Sequence, residues 1–72
     1  MKKELDKVVA EQITKHRKAL GLSQPDIAAK LEIVQQSLDH YEKGRRQVPI
    51  RLLPALAKAL KTDVSKLLKL KN

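Results

Sequence analysis

The apolar residues of this chain recur at helical spacing only in short runs, and each run is cut off by a glycine, a proline or a capping side chain. Leu5, Val8, Val9, Ile13 and Leu20 define a first helix, with Gly21 as its left-handed stop. Ser23 then supplies an N-cap, Pro25 sits in a first turn where its missing N–H does no harm, and Asp26 follows three residues after the cap. A second helix therefore runs from Gln24 to Leu31 and buries Ile27, Ala28 and Leu31. After a break at Glu32-Ile33-Val34, Leu38 and Tyr41 mark a third helix from Gln35 to Lys43, closed by Gly44. A basic loop with Arg45, Arg46 and Arg51 leads to a fourth helix, from near Leu52 to near Leu60, because Pro54 is tolerated only in a first turn. Asp63 can cap a fifth helix carrying Val64, Leu67, Leu68 and Leu70. With no strand-like alternation and no internal repeat, the chain reads as all-α, five short helices.

A chain of 72 residues has room for one modest core, so residues 1–72 are read as a single domain. That core is built from Leu, Ile, Val and Ala, since there is no Phe or Trp and Tyr41 is the only aromatic residue. The same lack of aromatic platforms argues against base-stacking recognition of single strands. Without cysteine there are no disulfides or thiolate metal sites, and His16 and His40 alone do not make a metal site; no cofactor is expected. No clustered carboxylates share a helical face and no glycine-rich phosphate loop occurs, so the chain is not read as an enzyme. Its apolar stretches are too short to span a membrane, and residues 1–10 lack the apolar centre of a signal peptide. Sixteen Lys and Arg against eight Asp and Glu give a net charge of +8 and a pI near 10.1, which makes a polyanion the natural partner.

The third helix is unusually polar: Gln35, Gln36, Asp39, His40 and Lys43 line the face opposite Leu38 and Tyr41. Two short helices joined by a three-residue break, the second one polar, have the outline of a helix-turn-helix over residues 24–43. Leu20-Gly21-Leu22-Ser23-Gln24, Ile27-Ala28-x-x-Leu31, Tyr41-Glu42-x-Gly44 and Leu56-Ala57-x-Ala59-Leu60, in that order, resemble the Cro/cI-type (XRE) repressor family from Ile13 to Leu68. Gln35-Gln36-Ser37, followed by Leu38 and Asp39, is similar to lambdoid phage repressors whose recognition helix opens with a glutamine pair.

The resemblance implies a lambda-repressor-like five-helix fold and a cytoplasmic transcriptional repressor, bacterial or phage-encoded, that binds a palindromic operator in double-stranded DNA as a homodimer. An antitoxin-type or coactivator-type protein-interaction module is the alternative. It further implies base reading by Gln35, Gln36 and His40; a carboxamide can donate to adenine N7 and accept from its N6 amino group in one bidentate pair, which suits this assignment. Phosphate contacts fall to Gln24 at a helix N-terminus, Ser37, Lys43, Arg45 and Arg46, and Arg17 is expected to pair with Glu42 between helices one and three. Leu67, Leu68 and Leu70 are expected either to join two protomers or to finish the core. This chain also departs from the family pattern. Glu32 stands where the turn usually has glycine, at a cost of about 1 kcal/mol if the backbone there is left-handed. Val34 replaces a Ser or Thr N-cap, Asp39 would repel a phosphate, and the spacing from Gly44 to Pro54 leaves Arg51 unaligned.

Overall fold

The computed structural model describes residues 2–69. Its helices are α1 (Lys2–Ala19), α2 (Gln24–Leu31), α3 (Gln35–Glu42), α4 (Leu53–Ala59) and α5 (Val64–Leu67), with a 3-10 turn at Ile50–Leu52 ahead of α4. The described residues thus form five α-helices and no strand, as the sequence pattern anticipates. Helix ends fall one residue short of the apolar pattern: α1 stops at Ala19, before Leu20, and Lys43, Leu60 and Leu68 are the C-caps of α3, α4 and α5, while Leu52 closes the 3-10 turn, so that α4 starts at Leu53 with Pro54 in its first turn.

Helix ends follow one local rule. The Ser23 hydroxyl accepts from the Asp26 N–H at 3.3 Å while the Asp26 carboxylate accepts from the Ser23 N–H at 2.9 Å, a complete capping box at the start of α2. Asp63 likewise accepts from the Lys66 N–H at 2.9 Å and caps α5. At their C-terminal ends, α1 to α4 each close with paired reverse bonds around a left-handed residue. Leu22 N–H reaches Arg17 O, Ile33 reaches Ala28 O, Arg45 reaches His40 O and Thr62 reaches Ala57 O. Gly21 (φ 70°) and Gly44 (φ 69°) adopt that conformation freely, whereas Glu32 (φ 57°) and Lys61 (φ 55°) adopt it with a side chain in place.

The core is aliphatic. Ile13, Ile27, Leu38, Leu56, Leu60 and Leu67 are fully buried, with Val9, Ala28, Leu31, Tyr41 and Ala57 completing the cluster. α1 packs on α3 and α5, α2 on α3 and α4, and α4 on α5, so α3 lies across the body with only its Leu38–Tyr41 stripe inside. The radius of gyration of 10.9 Å equals the ~11 Å of a fully packed chain of this length. On α1 the apolar pattern is partly superficial: Val9 and Ile13 are inside, but Leu5 and Leu20 are 46% and 37% exposed. Leu67 finishes the core, Leu68 is half-buried against it, and Leu70 lies outside the described residues. A joining role between protomers is therefore closed to Leu67. No helix among the described residues is long and apolar enough to cross a membrane.

Candidate nucleic-acid interface

The break between α2 and α3 is the residue triplet Glu32-Ile33-Val34, and its geometry follows from the left-handed Glu32 (φ 57°, ψ 41°). Ile33 turns inward onto the core. Val34 is extended (φ −76°, ψ 149°), offers no side-chain acceptor to α3 and is 67% exposed. Since α3 begins without a cap, the first N–H groups of Gln35 and Gln36 gain nothing from Val34, whose carbonyl serves Ser37 and Leu38 instead. Gln35 and Gln36 are both exposed at this uncapped end, and Ser37, Asp39 and His40 are half-buried behind them.

Gln24 does not extend away from the body. Its amide nitrogen donates to Asp39 Oδ1 at 3.2 Å and to Glu42 Oε1 at 3.3 Å, and its carbonyl accepts from Gln35 Nε2 at 3.4 Å. At the start of α2, Pro25 has no N–H and the Asp26 N–H belongs to Ser23, so the Gln24 N–H is what this terminus keeps for an anion. The Asp26 carboxylate beside it, held below the usual carboxylate range by hydrogen bonds from the Ser23 N–H and hydroxyl, further reduces its appeal to a phosphate.

Glu42, with its side chain 5% exposed, is the hub beneath this face. Arg17 meets it as a fork, Nε to Oε2 at 2.7 Å and Nη2 to Oε1 at 2.9 Å, and the Thr14 hydroxyl donates to Oε1 at 3.1 Å. The remaining Arg17 nitrogen, Nη1, donates to Leu22 O at 2.9 Å, tying α1 to the entrance of α2 as well as to α3. This pairing raises the Arg17 pKa, chiefly through the hydrogen bonds it donates to the Glu42 carboxylate. Thr14 and the Leu22 carbonyl carried no signal in the sequence, since neither their residue types nor their spacing distinguishes them from neighbours.

Lys43 Nζ reaches back one turn to Asp39 Oδ2 at 3.0 Å, and that ammonium, followed by the Gln24 amide, holds the Asp39 carboxyl below its ordinary range. Arg45 and Arg46 follow, both exposed. Arg46 and Asp6 both line a cleft of about 220 Å³ between α1 and the 45–53 loop. Leu5, Val9, Val48, Leu53 and Leu68 line its walls, and Ile50, 80% exposed, stands at its edge. Arg51 is exposed in the 3-10 turn. No group of three or more His, Cys, Asp or Glu side chains able to hold a metal occurs among the described residues.

Among solved structures, the restriction-modification controller protein C.AhdI from Aeromonas hydrophila superposes with a TM-score of 0.81 at 26% identity, covering 86% of this chain and 94% of that one. The clp gene regulator ClgR from C. glutamicum gives 0.84 at 23% identity (90% and 84% covered). A hypothetical transcription factor, NHTF, from Neisseria gives 0.85 at 22% identity (94% and 78% covered). At such identities ClgR and NHTF attest the fold. The helix-turn-helix family profile matches residues 13–67, from the middle of α1 to the end of α5, spanning every element that frames α3. The chain therefore belongs to the helix-turn-helix family of DNA-binding regulators.

Proposed function

We propose that this protein is a sequence-specific transcriptional repressor that binds a palindromic operator in double-stranded DNA as a homodimer. The observation that carries the reading is α3. Its apolar stripe is buried while its uncapped N-terminal end presents Gln35 and Gln36 to solvent, on a chain of net charge +8. In this reading α3 enters the major groove, Gln35, Gln36 and His40 contact base edges, and Ser37, Lys43, Arg45, Arg46 and the Gln24 N–H approach phosphates. A second copy would seat against the cleft edged by Ile50 and Leu68, which offers the exposed apolar surface that Leu67 does not. That cleft also favours the alternative, a module that holds another protein. Selection from random duplex DNA, with sedimentation of the protein alone and on the enriched site, separates the two. An enriched inverted repeat with half-site centres roughly 10 base pairs apart and two copies bound supports the repressor. No enriched sequence, or a monomer on an asymmetric site, overturns it.

A further inference from the structure

Of the two acidic residues in α3, Asp39 is the one whose side chain reaches solvent, Glu42 being buried beneath it. Asp39 follows Gln36 by three residues and Gln35 by four, and precedes Lys43 by four, so it sits in the middle of the polar strip. Each carboxylate oxygen is engaged: Oδ2 by the Lys43 ammonium at 3.0 Å, Oδ1 by the Gln24 amide at 3.2 Å. An exposed i,i+4 ion pair on its own is weak and opens readily. Here the second bond changes the outcome. Gln24 is anchored to the buried Glu42 at 3.3 Å, so the carboxylate cannot follow Lys43 when the lysine swings toward solvent. Any phosphate that Lys43 approaches then lies within the ~10 Å screening length at 0.1 M salt of a fixed negative charge. To a polyanion the pair counts for little.

The other oxygen reaches the base-facing side chains. With its N–H₂ group drawn to Asp39, Gln24 turns its carbonyl outward, where it accepts from Gln35 Nε2 at 3.4 Å. The Gln35 carboxamide is thereby oriented before any ligand arrives.

Building on the DNA-reading role of α3 proposed above, we infer that Asp39 is a positioning residue for discrimination. One oxygen offsets the charge Lys43 brings to its phosphate, lowering affinity for arbitrary duplexes, and the other orients Gln24 and Gln35, preserving affinity for the cognate site. Nonspecific binding is almost wholly electrostatic, so it bears that offset undiminished. Competing sites vastly outnumber the operator in a genome, which makes the ratio of the two affinities the quantity that matters.

The test measures wild type, Asp39→Ala, Asp39→Asn and Asp39→Ala/Lys43→Ala on the selected duplex and on a scrambled one, across a salt series. One phosphate contact freed of that offset adds about 0.9 to the salt slope per protomer, which corresponds to about an eightfold gain at 0.1 M salt. Asp39→Ala should therefore bind scrambled DNA about eightfold more tightly per protomer, and the specific-to-nonspecific ratio should fall by about fivefold or more as Gln35 loses its orientation. The added Lys43→Ala change should abolish the nonspecific gain. Asp39→Asn, which keeps an acceptor without charge, should keep that gain while retaining more discrimination than alanine. An unchanged salt slope, a gain that survives loss of Lys43, or equal tightening on both duplexes overturns the inference. Failure of the wild type to prefer its selected duplex would instead overturn the DNA-reading proposal itself.

Discussion

Replacing Glu42 with alanine removes the acceptor of four hydrogen bonds, two from Arg17 and one each from Thr14 and Gln24. The Arg17 side chain, 12% exposed, is left with one partner, the Leu22 carbonyl, and a guanidinium cannot shed its proton to escape. Breaking a buried pair from one side costs about 3 to 5 kcal/mol. Residual exposure and the Leu22 contact put this case near the lower figure, about 3 kcal/mol. Total stability for a chain this size is about 4 to 11 kcal/mol, so Glu42→Ala should lower Tm by about 12 to 24 °C. Arg17→Met leaves the carboxylate with Thr14 and Gln24 and should cost less, because those two donors remain. The double variant, having no unpaired ion, should be more stable than Glu42→Ala alone. Urea melts of the four proteins give the coupling energy. A value near zero would reduce the fork to two independently solvated groups and refute the reasoning.

Glu32→Gly relieves a left-handed residue that carries a side chain, and the relief outweighs the added freedom of glycine in the unfolded chain, for a net gain of about 0.5 to 1 kcal/mol. A drop in Tm would contradict this. Asp26, Asp39 and Asp63 all have folded-state pKa values lowered by hydrogen bonds, the largest contributions coming from Ser23, Lys43 and Ser65 respectively. Because the folded pKa lies below the unfolded one, their stabilisation is fully present above the unfolded value of about 3.9 and is lost as pH falls through the folded values. Acid melts should steepen there, and Asp63→Asn should flatten the dependence. Gln36→Ala should weaken binding to the selected duplex by about 1 to 3 kcal/mol while scarcely changing scrambled DNA, as read by titration of both; equal losses on both would count against base reading.

What the sequence determined by itself is what depends on neighbours along the chain. Ser23 with Asp26, Pro25, Gly21, Gly44 and Asp63 act within a turn of themselves, so the starts and stops of the helices, and the polar face of α3 opposite Leu38 and Tyr41, could be read directly. The left-handed Glu32 was legible only through the family pattern, and Lys61, with the same backbone, carried no mark at all. Tertiary structure decided everything that depends on what lies across the gap. Helical phase gives the direction of an apolar stripe but not the extent of the helices opposite, which is why Leu67 is enclosed while Leu5 and Leu20 reach the surface. Apart from the Arg17–Glu42 pair, which the family pattern implied, side-chain partners were undetermined: a glutamine at the start of α2 has the same local chemistry whether it faces solvent or, as here, Asp39 and Glu42. Only the packing of α2 and α1 against α3 brings Gln24, Thr14 and Arg17 to one carboxylate, because a hydrogen bond between residues far apart in the chain exists only once the core has placed their backbones.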